Sequence, residues 1–169
     1  MMHLLSLDEY GELSLGTYDE DKCPPYAILS HTWYADEDEV TYNDVINGRG
    51  KNKPGRDKIM FCGEQAQKDD LRHFWVDSCC IDKTSSAELS ESLNCMFRWY
   101  RNSRKCYVYL SDVAMMQGDS HPPTLYSWEA TFQQCRWFTR GCNAYPKWGK
   151  WIYPLTFSMC RDFARTARS

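Results

Sequence analysis

Three short apolar runs, each stopping at a polar residue, constrain this chain more than any other feature. Tyr26–Leu29 stops at Ser30-His31, Phe74–Val76 at Asp77, and Cys106–Leu110 at Ser111-Asp112. Runs this short, bounded by polar and turn-forming residues, read as buried strands rather than helices. Stretches with helical spacing lie between them. Alternating strands and helices predict an α/β fold: an open, mainly parallel sheet, flanked by helices on both faces and joined by right-handed crossovers.

The remaining elements follow from local signals. Residues 3–15 read as a short polar hairpin or edge around the turn-like DEYGE. Pro24-Pro25 holds the approach to the first buried run extended. Val40-Thr41-Tyr42 suggests a short strand, and Val45-Ile46 a helical turn. Asp57 is placed to cap a helix running to about Leu71, with Ile59, Cys62, Gly63 and Ala66 at helical spacing. Ser85-Ser86-Ala87-Glu88 fits a capping box ahead of an apolar stripe of Leu89, Leu93, Met96, Phe97 and Tyr100, with Glu91 and Arg98 outside it. Trp128 to Phe138 suits another helix. Beyond Arg140, Gly141, Pro146, Gly149 and Pro154 interrupt any period, which leaves an irregular C-terminal segment.

Composition narrows the class. A length of 169 residues suits one domain with a sizeable core, and 15% aromatic residues argue against disorder. No run approaches the roughly 18 apolar residues of a membrane span. The N-terminus meets acidic residues at once and lacks a basic n-region, so a cytoplasmic protein is expected. Nine cysteines, an odd number with no C-x-x-C pair, argue against a disulfide framework and against zinc; they read as small buried hydrophobes. From Cys135 onward seven basic residues face only Asp162, but they are scattered and no reader motif accompanies them, so no nucleic-acid partner is expected. The basic Gly/Pro loop at residues 47–57 lacks both the Walker and the G-x-G-x-x-G spacing and reads as a solvated surface loop.

Ligands of open parallel sheets bind outside the carboxyl ends of the strands. Parallel strands would bring Ser30, His31, Asp77, Ser111 and Asp112 to one edge, with Trp33, Asp82 and Glu88 close by, forming a polar cleft. Each residue also has a structural reading. His31 can cap the strand end through a backbone bond, and Asp77 and Asp82 can bracket the Cys79-Cys80-Ile81 turn. Glu88 is accounted for by the capping box, and Trp33 can be either a stacking surface or a core plug. A Ser-His-Asp hydrolase is not supported, because no G-x-S-x-G elbow is present and Ser30 points away from its neighbour His31 along a strand.

The motifs themselves resemble a known family. AILSHTW (Ala27–Trp33), the block from Lys58 to Asp112 with WVDSCCIDK and SSAELSESLN, and RWFTRG (Arg136–Gly141) are similar to blocks of the fungal heterokaryon incompatibility (HET) domain. The resemblance spans about residues 26–141. It implies a role in nonself recognition as a cell-death effector or signalling module acting by association with other incompatibility proteins or with itself. It also implies a distant likeness to TIR domains, hence a flavodoxin-like fold, and leaves NAD⁺ open as ligand or substrate, with no other cofactor. Residues 1–141 would form the HET domain. In the family a W-T-L-Q-E-L-like helix follows RWFTRG, whereas here CNAYPKWGKW follows and Pro146 falls where the glutamate is expected. That substitution argues against catalysis and suggests that 142–169 is a divergent or frame-disrupted ending. Two alternatives stay open: an NAD⁺ hydrolase drawing its carboxylate from Asp77, Asp82 or Glu88, and an inactive remnant.

Overall fold

The computed structural model describes residues 1–112 and 136–139. Strand β3, Tyr26–His31, lies inside the sheet, and its Tyr26, Ala27, Ile28 and Leu29 are all buried. Parallel neighbours flank it: β4, His73–Trp75, on one side and β5, Lys105–Tyr109, on the other. Two further strands, β1 (Met2–Leu7) and β2 (Leu13–Tyr18), form a hairpin. Its turn is closed by Asp8, whose carboxylate accepts the amides of Tyr10 and Glu12 at 2.9 and 2.8 Å. Spatial order across the sheet is β2-β1-β4-β3-β5.

The hairpin corrects one expectation. Of its two strands β2 alone lies at an edge; β1 inserts beside β4 and runs antiparallel to it, so the parallel strands β4, β3 and β5 continue into an antiparallel hairpin within one open sheet. Leu4 and Leu5 are both buried although successive side chains leave a strand on opposite faces, which is the mark of an interior strand.

Helices cover both faces. Helix α1, Tyr42–Ile46, begins where a short strand was expected. Thr41 takes the Asp44 amide, Asp44 takes the Thr41 amide, and this capping box commits the chain to helix. Helix α2, Gly55–Lys68, starts two residues ahead of Asp57, so Asp57 lies in its first turn instead of capping it. Helix α3, Ser86–Asn102, is capped by Ser85, which accepts the Glu88 amide. A Cβ on Gly63 of α2 would lie 3.1 Å from Phe74, while Trp99 and Tyr100 of α3 meet Trp75 edge-on, with centroids 5.6 and 6.1 Å away. Phe74 and Trp75 are successive residues of β4, so α2 and α3 sit on opposite faces.

The buried stripe of α3 differs from the expected one. Ser92, Cys95 and Trp99 face the core, and Leu89, Met96 and Tyr100 pack beside them, but Leu93 and Phe97 are 60% and 57% exposed. Trp99 sets this rotation. Its ring fills the space against Trp75, its indole N–H donates to Glu20, and its carbonyl accepts the Tyr26 hydroxyl at 2.6 Å. A short helix α4, Arg136–Thr139, lies within the helix expected from 128 to 138; the rest of that helix, Pro146 and the 142–169 segment lie outside the described residues. Among the described residues no helix is long and apolar enough to cross a membrane.

Candidate functional site

The carboxyl ends of β3, β4 and β5 lie side by side because these strands are parallel and adjacent. Asp77, two residues past β4, is the hub. Its Oδ1 accepts from His31 Nε2 at 2.8 Å, and Trp33 Nε1 donates to both carboxylate oxygens at 3.1 and 3.2 Å. Burial pushes the Asp77 carboxyl up, but the attraction and hydrogen bond of His31, together with Lys83 and the Trp33 N–H, outweigh it and hold the group below the usual carboxylate range. The His31 side chain is 1% exposed. Its other nitrogen faces the Thr32 carbonyl at 3.1 Å, so both nitrogens are directed at acceptors. Trp33 is neither a core plug nor a bare platform. Its indole N–H is fixed by Asp77, and the Lys83 ammonium sits over its ring at 3.6 Å, a cation–π contact between two loops.

Behind this hub lies a pair that sequence reasoning missed. Lys58 of α2 is fully buried and ion-paired to Glu39 Oε1, and it also donates to the Thr32 carbonyl at 3.1 Å. Its ammonium lies 4.4 Å from the centre of the Tyr34 ring, and the Tyr34 amide donates to Glu39 Oε1 at 2.7 Å. Burial lowers the Lys58 pKa, and Glu39 pulls it partly back. Glu39 Oε2 is buried with no hydrogen-bond partner among the described residues. The sequence did carry a signal: Lys58 stands one turn before Cys62 and beside Ile59, so it is a charge on the apolar face of α2.

The remaining expected residues divide between two places. Ser111 reaches Thr32, hydroxyl to hydroxyl at 3.4 Å, Ser30 Oγ accepts the Trp137 indole N–H at 3.0 Å, and Asp112 accepts the Arg136 amide at 2.6 Å. These join the β3 and β5 ends to α4. Asp82 and Glu88 form a separate cluster. Asp82 accepts the Thr84 amide and hydroxyl, as Asp does in turns, and Asp77 does not share that role. The Glu88 carboxylate takes the Asp82 amide at 2.9 Å, not the Ser85 amide, so only half of the capping box forms; it also lies 3.4 Å from His3 of β1. Among the described residues no group of three His, Cys, Asp or Glu is placed to hold a metal ion.

Residues 26–143, which hold every strand end of this cluster, match the family described as heterokaryon incompatibility protein (HET). The chain belongs to the HET family. Vegetative incompatibility protein HET-E-1 of Podospora anserina is 53% identical over 142 residues, which is 83% of this chain and 10% of that protein. The chain therefore spans about a tenth of the length of this curated relative. No solved structure matches. In this HET chain the SHTW motif supplies both His31 and Trp33 to Asp77, so that the AILSHTW and WVDSCCIDK blocks meet at one carboxylate.

Proposed function

We propose that this chain is a vegetative-incompatibility module of the fungal cytoplasm that acts in nonself recognition by association and so triggers cell death. Residues 1–141 would be its working unit and 142–169 a divergent ending. The relative named for vegetative incompatibility supports the biological role. The observation that carries association over hydrolysis is the engagement of His31. Both of its nitrogens face acceptors, so neither is free to take a proton from a substrate. The carboxylates first considered for catalysis are similarly committed, Asp77 to two side-chain donors and Glu88 to the Asp82 amide.

One observation favours a second reading, an NAD⁺ hydrolase: Glu39 holds a buried carboxylate oxygen with no partner among the described residues, just behind the hub. Once the residues that cover it move aside, such an oxygen would stabilise an oxocarbenium-like centre. One assay separates the readings. Purified protein is incubated with NAD⁺ and nicotinamide release is followed, while the chain is overexpressed in a fungal host and viability is scored. Cell death without release supports association. Release that Glu39→Gln abolishes in a folded protein supports the hydrolase. Absence of both release and cell death supports an inactive remnant.

A further inference from the structure

The basic loop at residues 47–57 reads as solvent-washed from its sequence, but in the fold it is fastened at both ends. The Arg49 amide donates to the Asp44 carbonyl at 2.7 Å, and the Gly48 amide to the Val45 carbonyl at 3.1 Å. Lys53 reaches the Glu39 carbonyl and the Asp44 carboxylate at 2.9 and 2.8 Å. At the far end the Gly55 amide donates to the Asp38 carbonyl at 2.8 Å, and a Cβ on Gly55 would stand 2.6 Å from that oxygen. Gly48 and Gly50 take the positive φ angles, +64° and +75°, that fold the loop back on itself. The loop is thus fixed in shape before anything binds it.

Three of its four cations line one shallow groove. Arg49, Lys51 and Arg56 line it, together with Leu13, Val45 and the single carboxylate Glu12. Glu12 is already taken by Lys51 at 2.6 Å, and among the described residues Arg56 makes only a long 3.5 Å contact to the Gly11 carbonyl. Arg49 has no side-chain partner among the described residues and is exposed. Two guanidinium groups with unused donors beside a lysine suit a tetrahedral oxyanion.

We infer that this groove, between the β1–β2 turn and the loop that leads into α2, is a binding site for a phosphate-type oxyanion. The phosphate can belong to a soluble molecule or to a lipid headgroup. The site lies apart from the Asp77 hub, and the inference does not depend on the proposed function.

The test uses the full chain at low ionic strength. Inorganic pyrophosphate is titrated by calorimetry, and in parallel the protein is sedimented with phosphatidylcholine vesicles with and without phosphatidic acid. Arg49→Ala removes a side chain that bonds to nothing described, so it should leave the melting temperature unchanged and weaken binding about tenfold, the worth of one charge-assisted contact. Glu12→Gln removes the internal competitor for Lys51 and should tighten binding. Saturable pyrophosphate binding without vesicle binding assigns a soluble ligand; vesicle binding that needs phosphatidic acid and is lost in Arg49→Ala assigns a headgroup. Absence of both, or binding that Arg49→Ala and Glu12→Gln leave unchanged, overturns the inference.

Discussion

Replacing Asp77 by asparagine keeps the shape of the hub and removes its charge. The amide offers one acceptor oxygen where two served His31 and Trp33, and its NH₂ group turns donors toward donors. A hydrogen bond to a charged partner contributes about 1.5–3 kcal/mol. Two such donors are affected, but the Asp77 side chain is 24% exposed and water can repair part of the loss. The expected cost is therefore about 2–4 kcal/mol, toward the lower end of that contact energy for each donor. For a chain of this length that lowers Tm by about 5–15 °C. The pH dependence has a definite sign. The carboxyl of Asp77 lies below its ordinary value in the fold, so its contribution is complete above the unfolded value of about 3.9 and is lost as pH falls through the lower folded value. Thermal melts of wild type and Asp77→Asn, followed by circular dichroism, should differ fully at neutral pH and converge in strong acid. A His31→Gln, Asp77→Asn double-mutant cycle should give about 1–3 kcal/mol of coupling. Equal melting temperatures at neutral pH, or a gap that stays constant into strong acid, would refute the hub.

Lys58→Met should destabilise by about 3–5 kcal/mol because it strands the buried Glu39 carboxylate, whereas adding Glu39→Gln should recover much of that loss in denaturant titrations. Gly55→Ala forces a Cβ against the Asp38 carbonyl and should cost about 1–3 kcal/mol by the same measurement, despite alanine's better helix propensity. Trp99→Ala should cost about 3–5 kcal/mol and Leu93→Ala no more than about 0.5, a contrast that reports the rotation of α3 directly. Burial raises the thiols of Cys62 and Cys79 and pushes Cys106 up to about 12, so mass-spectrometric mapping after brief exposure to a thiol reagent should find Cys23 labelled ahead of these three until denaturant is added.

The sequence by itself determined the strands at Tyr26, Phe74 and Cys106, the helices between them, and the polar residues that close each strand. These are local matters: apolar runs of a given length and period, and turn residues at their ends, are written along the chain. The family blocks were legible for the same reason, as contiguous words. Tertiary structure alone decided what lies beside what. Nothing near Met2 to Leu7 says that this strand will enter the sheet interior, because its partner, β4, is distant in sequence. Leu93 and Phe97 fit the helical period as well as Cys95 and Trp99 do, and only the Trp75 ring across the interface chooses between them. Glu88 follows Ser85 at capping-box spacing, yet its carboxylate goes to the Asp82 amide because the turn brings that donor within reach. The hub shows the same division. The sequence places His31, Trp33 and Asp77 at strand ends, but parallel pairing of β3 with β4 is what brings a carboxylate to two N–H donors 44 and 46 residues away. Lys58 and Glu39 join only because α2 lies across that sheet, where a buried ammonium must find an acceptor and the loop after β3 supplies it.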